Sequence, residues 1–101
     1  MPKNIALKTI EIKWLKQIFV SIPSIQKVMV FGSRVRGDNR AYSDLDVLIS
    51  GLISSADRAK LAELLEDSSL PFTVDIAVES QLQPDFLVAI KKEYKLLYSK
   101  K

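Results

Sequence analysis

An α/β layer fold, a small sheet with helices packed on it, is predicted by three observations. Apolar residues recur at helical spacing near both ends of the chain, short apolar runs bounded by glycine or proline lie between them, and the two patterns alternate over 101 residues. That length fits one compact domain, so residues 1–101 are read as a single domain without an internal linker, repeat or low-complexity stretch.

The elements follow in order. Leu7, Ile10, Trp14, Leu15, Ile18 and Phe19 keep one helical face, with Lys8, Glu11, Lys13 and Lys16 between them, and the helix ends near Ser21, ahead of Pro23. Ile25 to Phe31 reads as a strand, stopped by Gly32. Ser33 to Arg36 opens a brief helix that breaks at Gly37, and Gly37 to Ser43 is a polar loop. Asp44 to Ser50 alternates acidic and apolar residues before turning wholly apolar, the pattern of a strand entering a core. A second helix runs from about Ser55, taken as its N-cap, to Leu65 or Glu66. Phe72 to Val78 gives a third strand after Pro71. Leu82 to Tyr94 is helical, with Pro84 in a first turn and Phe86, Leu87 and Ile90 on one face, and Leu96 to Tyr98 forms a last extended piece. Strand directions cannot be read from this pattern.

Composition removes several chemistries. There is no cysteine, hence no disulfide, zinc–thiolate site or catalytic thiol, and no histidine, hence neither the commonest general base nor the commonest transition-metal ligand. Acid–base or metal chemistry must run on carboxylates. The net charge of +3, from fifteen basic and twelve acidic residues, is too small to mark a nucleic-acid binder, and Lys100-Lys101 accounts for part of it. The start Met1-Pro2-Lys3-Asn4 lacks a cleavable signal pattern and no apolar run is long enough to span a bilayer, so the expectation is a cytoplasmic protein with no membrane partner.

Three features carry chemistry together. Gly32-Ser33-Arg34-Val35-Arg36-Gly37 follows a strand directly. Ser43-Asp44-Leu45-Asp46 opens the next one. Asp75 interrupts the apolar run Phe72 to Val78. Asp44 and Asp46, two apart on a strand, leave the same face within about 7 Å of each other, which is costly unless a cation sits between them. Alone, Asp44 could simply close a turn. Asp75 is expensive to bury unpaired; it either faces water from an edge strand or joins the other two if the third strand lies beside the second. Three carboxylates without histidine or thiolate suit a hard divalent ion, Mg²⁺ or Mn²⁺. Gly32 permits close approach of a phosphate and Ser33 offers a hydroxyl and an amide, although a glycine-serine pair after a strand is also a common turn. Arg34 and Arg36 could balance phosphate charge or pair with the carboxylates. The glycine spacing matches neither a Walker loop nor a dinucleotide fingerprint. A phosphate cradle beside carboxylate-held metal is the equipment of phosphoryl or nucleotidyl transfer.

The combined pattern, Val30-Phe31-Gly32-Ser33-Arg34-Val35-Arg36-Gly37, then Ser43-Asp44-Leu45-Asp46-Val47-Leu48-Ile49, then Val74-Asp75-Ile76, resembles the signature of the polymerase-β-type nucleotidyltransferase superfamily, in its minimal nucleotidyltransferase branch. It spans about half the chain. The resemblance implies a small mixed β-sheet with helices packed on it, the polymerase-β-like fold. It implies that Gly32 and Ser33 hold the triphosphate of an NTP with help from Ser43, that Asp44 and Asp46 ligate metal, and that Asp75 completes the site and helps deprotonate the acceptor hydroxyl. It further implies a triphosphate contact for Arg34 and a structural ion pair for Arg36. Val35 stands where such proteins often carry alanine. Proteins this small work with a separate helical partner; in HEPN–MNT toxin–antitoxin pairs the nucleotidyltransferase is the antitoxin and transfers AMP from ATP to a tyrosine of the HEPN ribonuclease toxin. Phe86 to Tyr98 is similar to the ending of such antitoxins, with Tyr94 where many have glycine.

The function expected is therefore Mg²⁺-dependent transfer of a nucleoside monophosphate, AMP from ATP, to a hydroxyl of a HEPN-family partner. Two alternatives stand beside it. One is the same chemistry on a small molecule or an RNA end, which the missing second domain and the modest charge disfavour. The other is a non-catalytic subunit that masks its partner through apolar residues such as Trp14, Phe19, Tyr94 and Tyr98; of these, Trp14 and Phe19 are better read as core.

Overall fold

The computed structural model describes residues 6–36 and 44–100. The expected polar loop and Ser43 lie outside the described residues. In chain order the elements are α1 (Thr9–Val20), β1 (Ile25–Phe31), α2 (Ser33–Arg36), β2 (Leu45–Gly51), α3 (Ser55–Glu66), β3 (Val74–Val78), a 3₁₀ turn (Glu79–Gln81), α4 (Pro84–Lys91) and β4 (Lys95–Ser99). The four strands form one mixed sheet in the order β3-β2-β1-β4. β1 pairs antiparallel with both β2 and β4, and β2 pairs parallel with β3. The parallel pair needs a crossover between its strands, and α3 supplies it.

The sheet's alternation sorts its residues. Leu45, Val47 and Ile49 of β2 and Val28 and Val30 of β1 turn to one face, where they meet Leu15 and Phe19 of α1 and Leu61 of α3 in a single core. Burying each such side chain contributes roughly 1.5–3 kcal/mol. Tyr98 of β4 closes the core's edge by a tilted ring contact with Phe19 at 5.9 Å. The intervening residues, Asp46 among them, turn to the opposite face, towards α4.

Several boundaries differ from the sequence expectation, each for a local reason. The N-cap of α3 is Ser54, not Ser55: Ser54 Oγ accepts from the Asp57 amide at 3.0 Å while Asp57 Oδ2 accepts from the Ser54 amide at 3.3 Å. This reciprocal box satisfies two amides that the helix cannot. Ser24 Oγ also donates to Asp57 Oδ2 at 2.7 Å, tying the turn before β1 to the start of α3. In α1 the buried line is Glu11, Leu15 and Phe19, whereas Ile10 is 45 % exposed. Glu11, read from the sequence as an outward polar residue, is drawn in because its Oε1 accepts the Lys8 amide at 2.9 Å at the helix start. The last helix is shorter than expected: α4 opens at Pro84 in its first turn and stops at Lys91, and Leu82 belongs to the turn after the 3₁₀ segment. Leu96 to Tyr98 becomes a full edge strand, β4. No described helix is long and apolar enough to cross a membrane.

Candidate active site

Gly32 makes the first corner of the site. It connects β1 to α2 with φ +83°, a conformation that L side chains rarely adopt. A Cβ at this position would stand 2.5 Å from Asp46 Oδ2. The glycine thus serves both the turn and the approach of the Asp46 carboxylate to the backbone. Its carbonyl accepts the amides of Val35 and Arg36 at 3.0 and 3.1 Å, which winds α2 immediately and leaves Ser33 at its head.

Register brings the acids together. Phe31 at the end of β1 is opposite Asp46 on β2, and Asp46 is opposite Asp75 on β3. Asp44, just before β2, is exposed, and its carboxyl lies close enough to that of Asp75 to act on it. The Asp46 carboxyl is pushed above the ordinary carboxylate range by burial first, then by the charges of Asp75 and Asp44, with Arg36 opposing. Asp75 is exposed at the sheet's margin, yet its carboxyl is also raised, by desolvation first and then by Asp44. The three acids expected from the sequence therefore occupy one corner of the sheet, where the charged forms of Asp46 and Asp75 are disfavoured. They do not form a ready-made cage: among the described residues no group of three or more acidic side chains is gathered to hold a metal ion by itself. As a donor set, oxygen-only and mutually repelling, they fit a hard divalent cation whose remaining ligands come from phosphate oxygens or water.

A cavity of about 360 Å³ opens in front of this corner, lined by Phe31, Gly32, Ser33, Arg36, Asp46, Phe86, Ala89, Ile90 and Glu93. It joins the expected phosphate elements, Gly32 and Ser33, to one of the expected metal ligands. A larger concavity between α1 and β4 holds none of the candidate residues.

The two arginines sit in different surroundings. Arg34 is 5 % exposed and is not part of the cavity wall. Its Nη1 donates to the Ala6 carbonyl at 2.5 Å and its guanidinium lies 4.4 Å over the Phe72 ring, so it fastens the chain before α1 and the approach to β3. Arg36 does line the cavity; it pairs with Glu93 at 3.5 Å, the ion pair expected of it, and its charge reaches Asp46. Phe86 and Glu93 are site residues that sequence reasoning missed. Phe86 repeats at helical spacing with Ile90, which marks an apolar face but not which of its members stays open.

The fold is that of a nucleotidyltransferase, with the glycine-serine corner and the Asp-x-Asp strand at the heart of the sheet. The chain belongs to the polymerase β nucleotidyltransferase family, whose model matches residues 13–101. It is 32 % identical over 96 residues, 93 % of this chain and 84 % of the relative, to the Haemophilus influenzae protein named probable protein adenylyltransferase MntA. Among solved structures it resembles a toxin–antitoxin crystallised with AMP-PNP, at 20 % identity and a TM-score of 0.73 over 89 % of this chain and 74 % of the other. It also resembles a chain of the complex of tri-AMPylated Shewanella oneidensis HEPN toxin with MNT antitoxin, at 23 % identity and a TM-score of 0.57, over 88 % and 66 %. These structural likenesses bear on the fold.

Proposed function

We propose that this chain is a cytoplasmic protein adenylyltransferase that transfers AMP from ATP to a hydroxyl of a helical HEPN-family partner, a tyrosine, and so acts as that partner's antitoxin. The observation that carries the chemistry is the cavity in which Gly32, Ser33 and Arg36 adjoin Asp46, with Asp75 and Asp44 beside it. The adenylyl donor and the protein acceptor rest on the relative named as a protein adenylyltransferase and on the neighbouring complexes, one with AMP-PNP and one with an AMPylated HEPN toxin.

In this reading the triphosphate lies against Gly32 and Ser33, with Ser43 assisting, and the Arg36 guanidinium offsets its charge. Asp44, Asp46 and Asp75 would hold Mg²⁺ or Mn²⁺ together with phosphate oxygens, and the ion would neutralise the phosphates and the departing pyrophosphate. The acceptor oxygen bonds to the α-phosphorus as the bond from that phosphorus to the bridging oxygen of the β-phosphate breaks. Pyrophosphate leaves, and the hydroxyl proton passes to the Asp75 carboxylate.

ATP labelled at the α-phosphate, incubated with this chain, the partner and Mg²⁺, should leave label on the partner. ATP labelled at the γ-phosphate should leave none. Label retained from the γ-phosphate would mean a kinase, and label from neither would remove the transferase reading.

A further inference from the structure

The cavity wall combines two chemistries. Among its lining residues Gly32, Ser33, Arg36, Asp46 and Glu93 are polar, whereas Phe31, Phe86, Ala89 and Ile90 are apolar. Phe86 is the unusual member. It projects from the first turns of α4 and remains 48 % exposed, a large aromatic ring left open at the mouth of a charged site. Its other side is braced: the Phe31 ring meets it edge-on, with centroids 6.4 Å apart and planes at 89°. Phe31 in turn is fixed by the sheet, opposite Asp46. Ala89, one turn along α4, adds no bulk beside the ring.

A ligand that satisfies both is anionic at one end and flat and apolar at the other. Phosphate or pyrophosphate alone would leave the aromatic residues in water. Resting on the nucleotidyl-transfer reading, we propose that Phe86 is the platform on which the nucleobase of the donor stacks, held in place by Phe31. Stacking on an aromatic ring uses the π-face common to all bases and therefore grips a nucleotide with little discrimination among them. The binding energy for the base accordingly comes from α4. Phe86 is thus a binding residue for the donor and takes no part in the chemistry.

The test is direct titration of the full chain with ATP, with GTP and with inorganic tripolyphosphate, each with Mg²⁺, for the wild type, Phe86→Leu, Phe86→Ala and Phe86→Tyr. Thermal melts verify that each variant is folded. Stacking by alanine substitution predicts ATP and GTP binding weakened about 5- to 100-fold in Phe86→Ala. Phe86→Leu, which keeps apolar bulk without a π-face, should also weaken both, and Phe86→Tyr should restore them. Tripolyphosphate affinity should stay within about twofold throughout. Unchanged ATP affinity in a folded Phe86→Leu or Phe86→Ala overturns the platform, as does an equal loss for ATP and tripolyphosphate, which would mark Phe86 as support for the phosphate end. Reduced transfer to the partner with unchanged ATP affinity would place Phe86 against the acceptor and overturn it as well. A wild-type chain that binds no nucleotide overturns the transferase reading itself.

Discussion

Asp46 stands directly opposite Asp75 across the parallel pair of β2 and β3. Two acids at one register position are a like-charge pair, which costs stability wherever no cation intervenes. Both carboxyls are raised above the ordinary value of 3.8. Below the ordinary value both states are protonated and nothing is gained. Between it and the raised values the folded state binds more protons than the unfolded one, so stability falls as pH rises through the folded pKa values. On account of this pair the metal-free protein should lose stability as pH rises from below 3.8 towards 7, a trend read from Tm against pH in chelator. Asp46→Asn should flatten the trend and raise Tm at pH 7 by roughly 2–6 °C. It should also lower transfer at least about 100-fold. A variant that loses stability and activity together would show that Asp46 is a structural residue.

The glycine corner predicts a different failure. Gly32→Ala places a Cβ against Asp46 Oδ2 and forces a residue with a side chain to φ +83°. The strain should cost about 1–2 kcal/mol, measured by denaturant unfolding. Nucleotide binding should fall more than stability does, because the Asp46 carboxylate has to move. Full binding in a destabilised Gly32→Ala would detach the corner from the site.

The arginines should separate in a paired experiment. Arg34→Ala removes a buried guanidinium that bonds the Ala6 carbonyl and stacks on Phe72, at a cost of about 2–3 kcal/mol in unfolding free energy. Arg36→Ala breaks the half-exposed pair with Glu93, worth about 0–1 kcal/mol. Kinetics should reverse the order, with KM for ATP raised severalfold by Arg36→Ala and left near wild type by Arg34→Ala among folded molecules.

Acid should loosen α3 from a separate direction. The Ser24 hydroxyl first, and the Ser54 amide second, hold the Asp57 carboxyl below its ordinary value. Its contribution is therefore complete above pH 3.8 and is lost as pH falls through the lower folded value. Asp57→Asn should lower Tm at neutral pH and abolish that part of the acid transition, followed by circular dichroism. Ser54→Ala, which removes the cap itself, should cost about 1 kcal/mol.

How much of this was legible in the sequence depended on range. Among the described residues, periodicity and punctuation located the four strands and the α-helices between them, because Gly32, Gly51, Pro71 and Pro84 mark limits locally. The acids of the site were legible because an Asp two residues from another, and an Asp inside an apolar run, contradict the strands they occupy. What sequence could not carry were contacts across distance. Ser54 rather than Ser55 caps α3 because of where the helix starts in space, and Ser24, far away in the chain, then finds Asp57. Glu11 turns inward on a helix whose pattern reads it as outward. Arg34 and Arg36 are two residues apart, and only the four-residue turn of α2 sends one to Phe72 and the other to the cavity. Phe86 looks like core in a list of apolar positions; its open face is a property of the cavity.

The central claim is nucleotidyl transfer to a protein by the Asp44, Asp46 and Asp75 corner. The most direct test is intact mass measurement of the HEPN-family partner after incubation with this chain, ATP and Mg²⁺. One or more AMP groups should be added to the partner, and the addition should be abolished when Asp44→Asn and Asp46→Asn are combined. A partner that remains unmodified while bound in a stable complex, and is neutralised equally by the double variant, would contradict it.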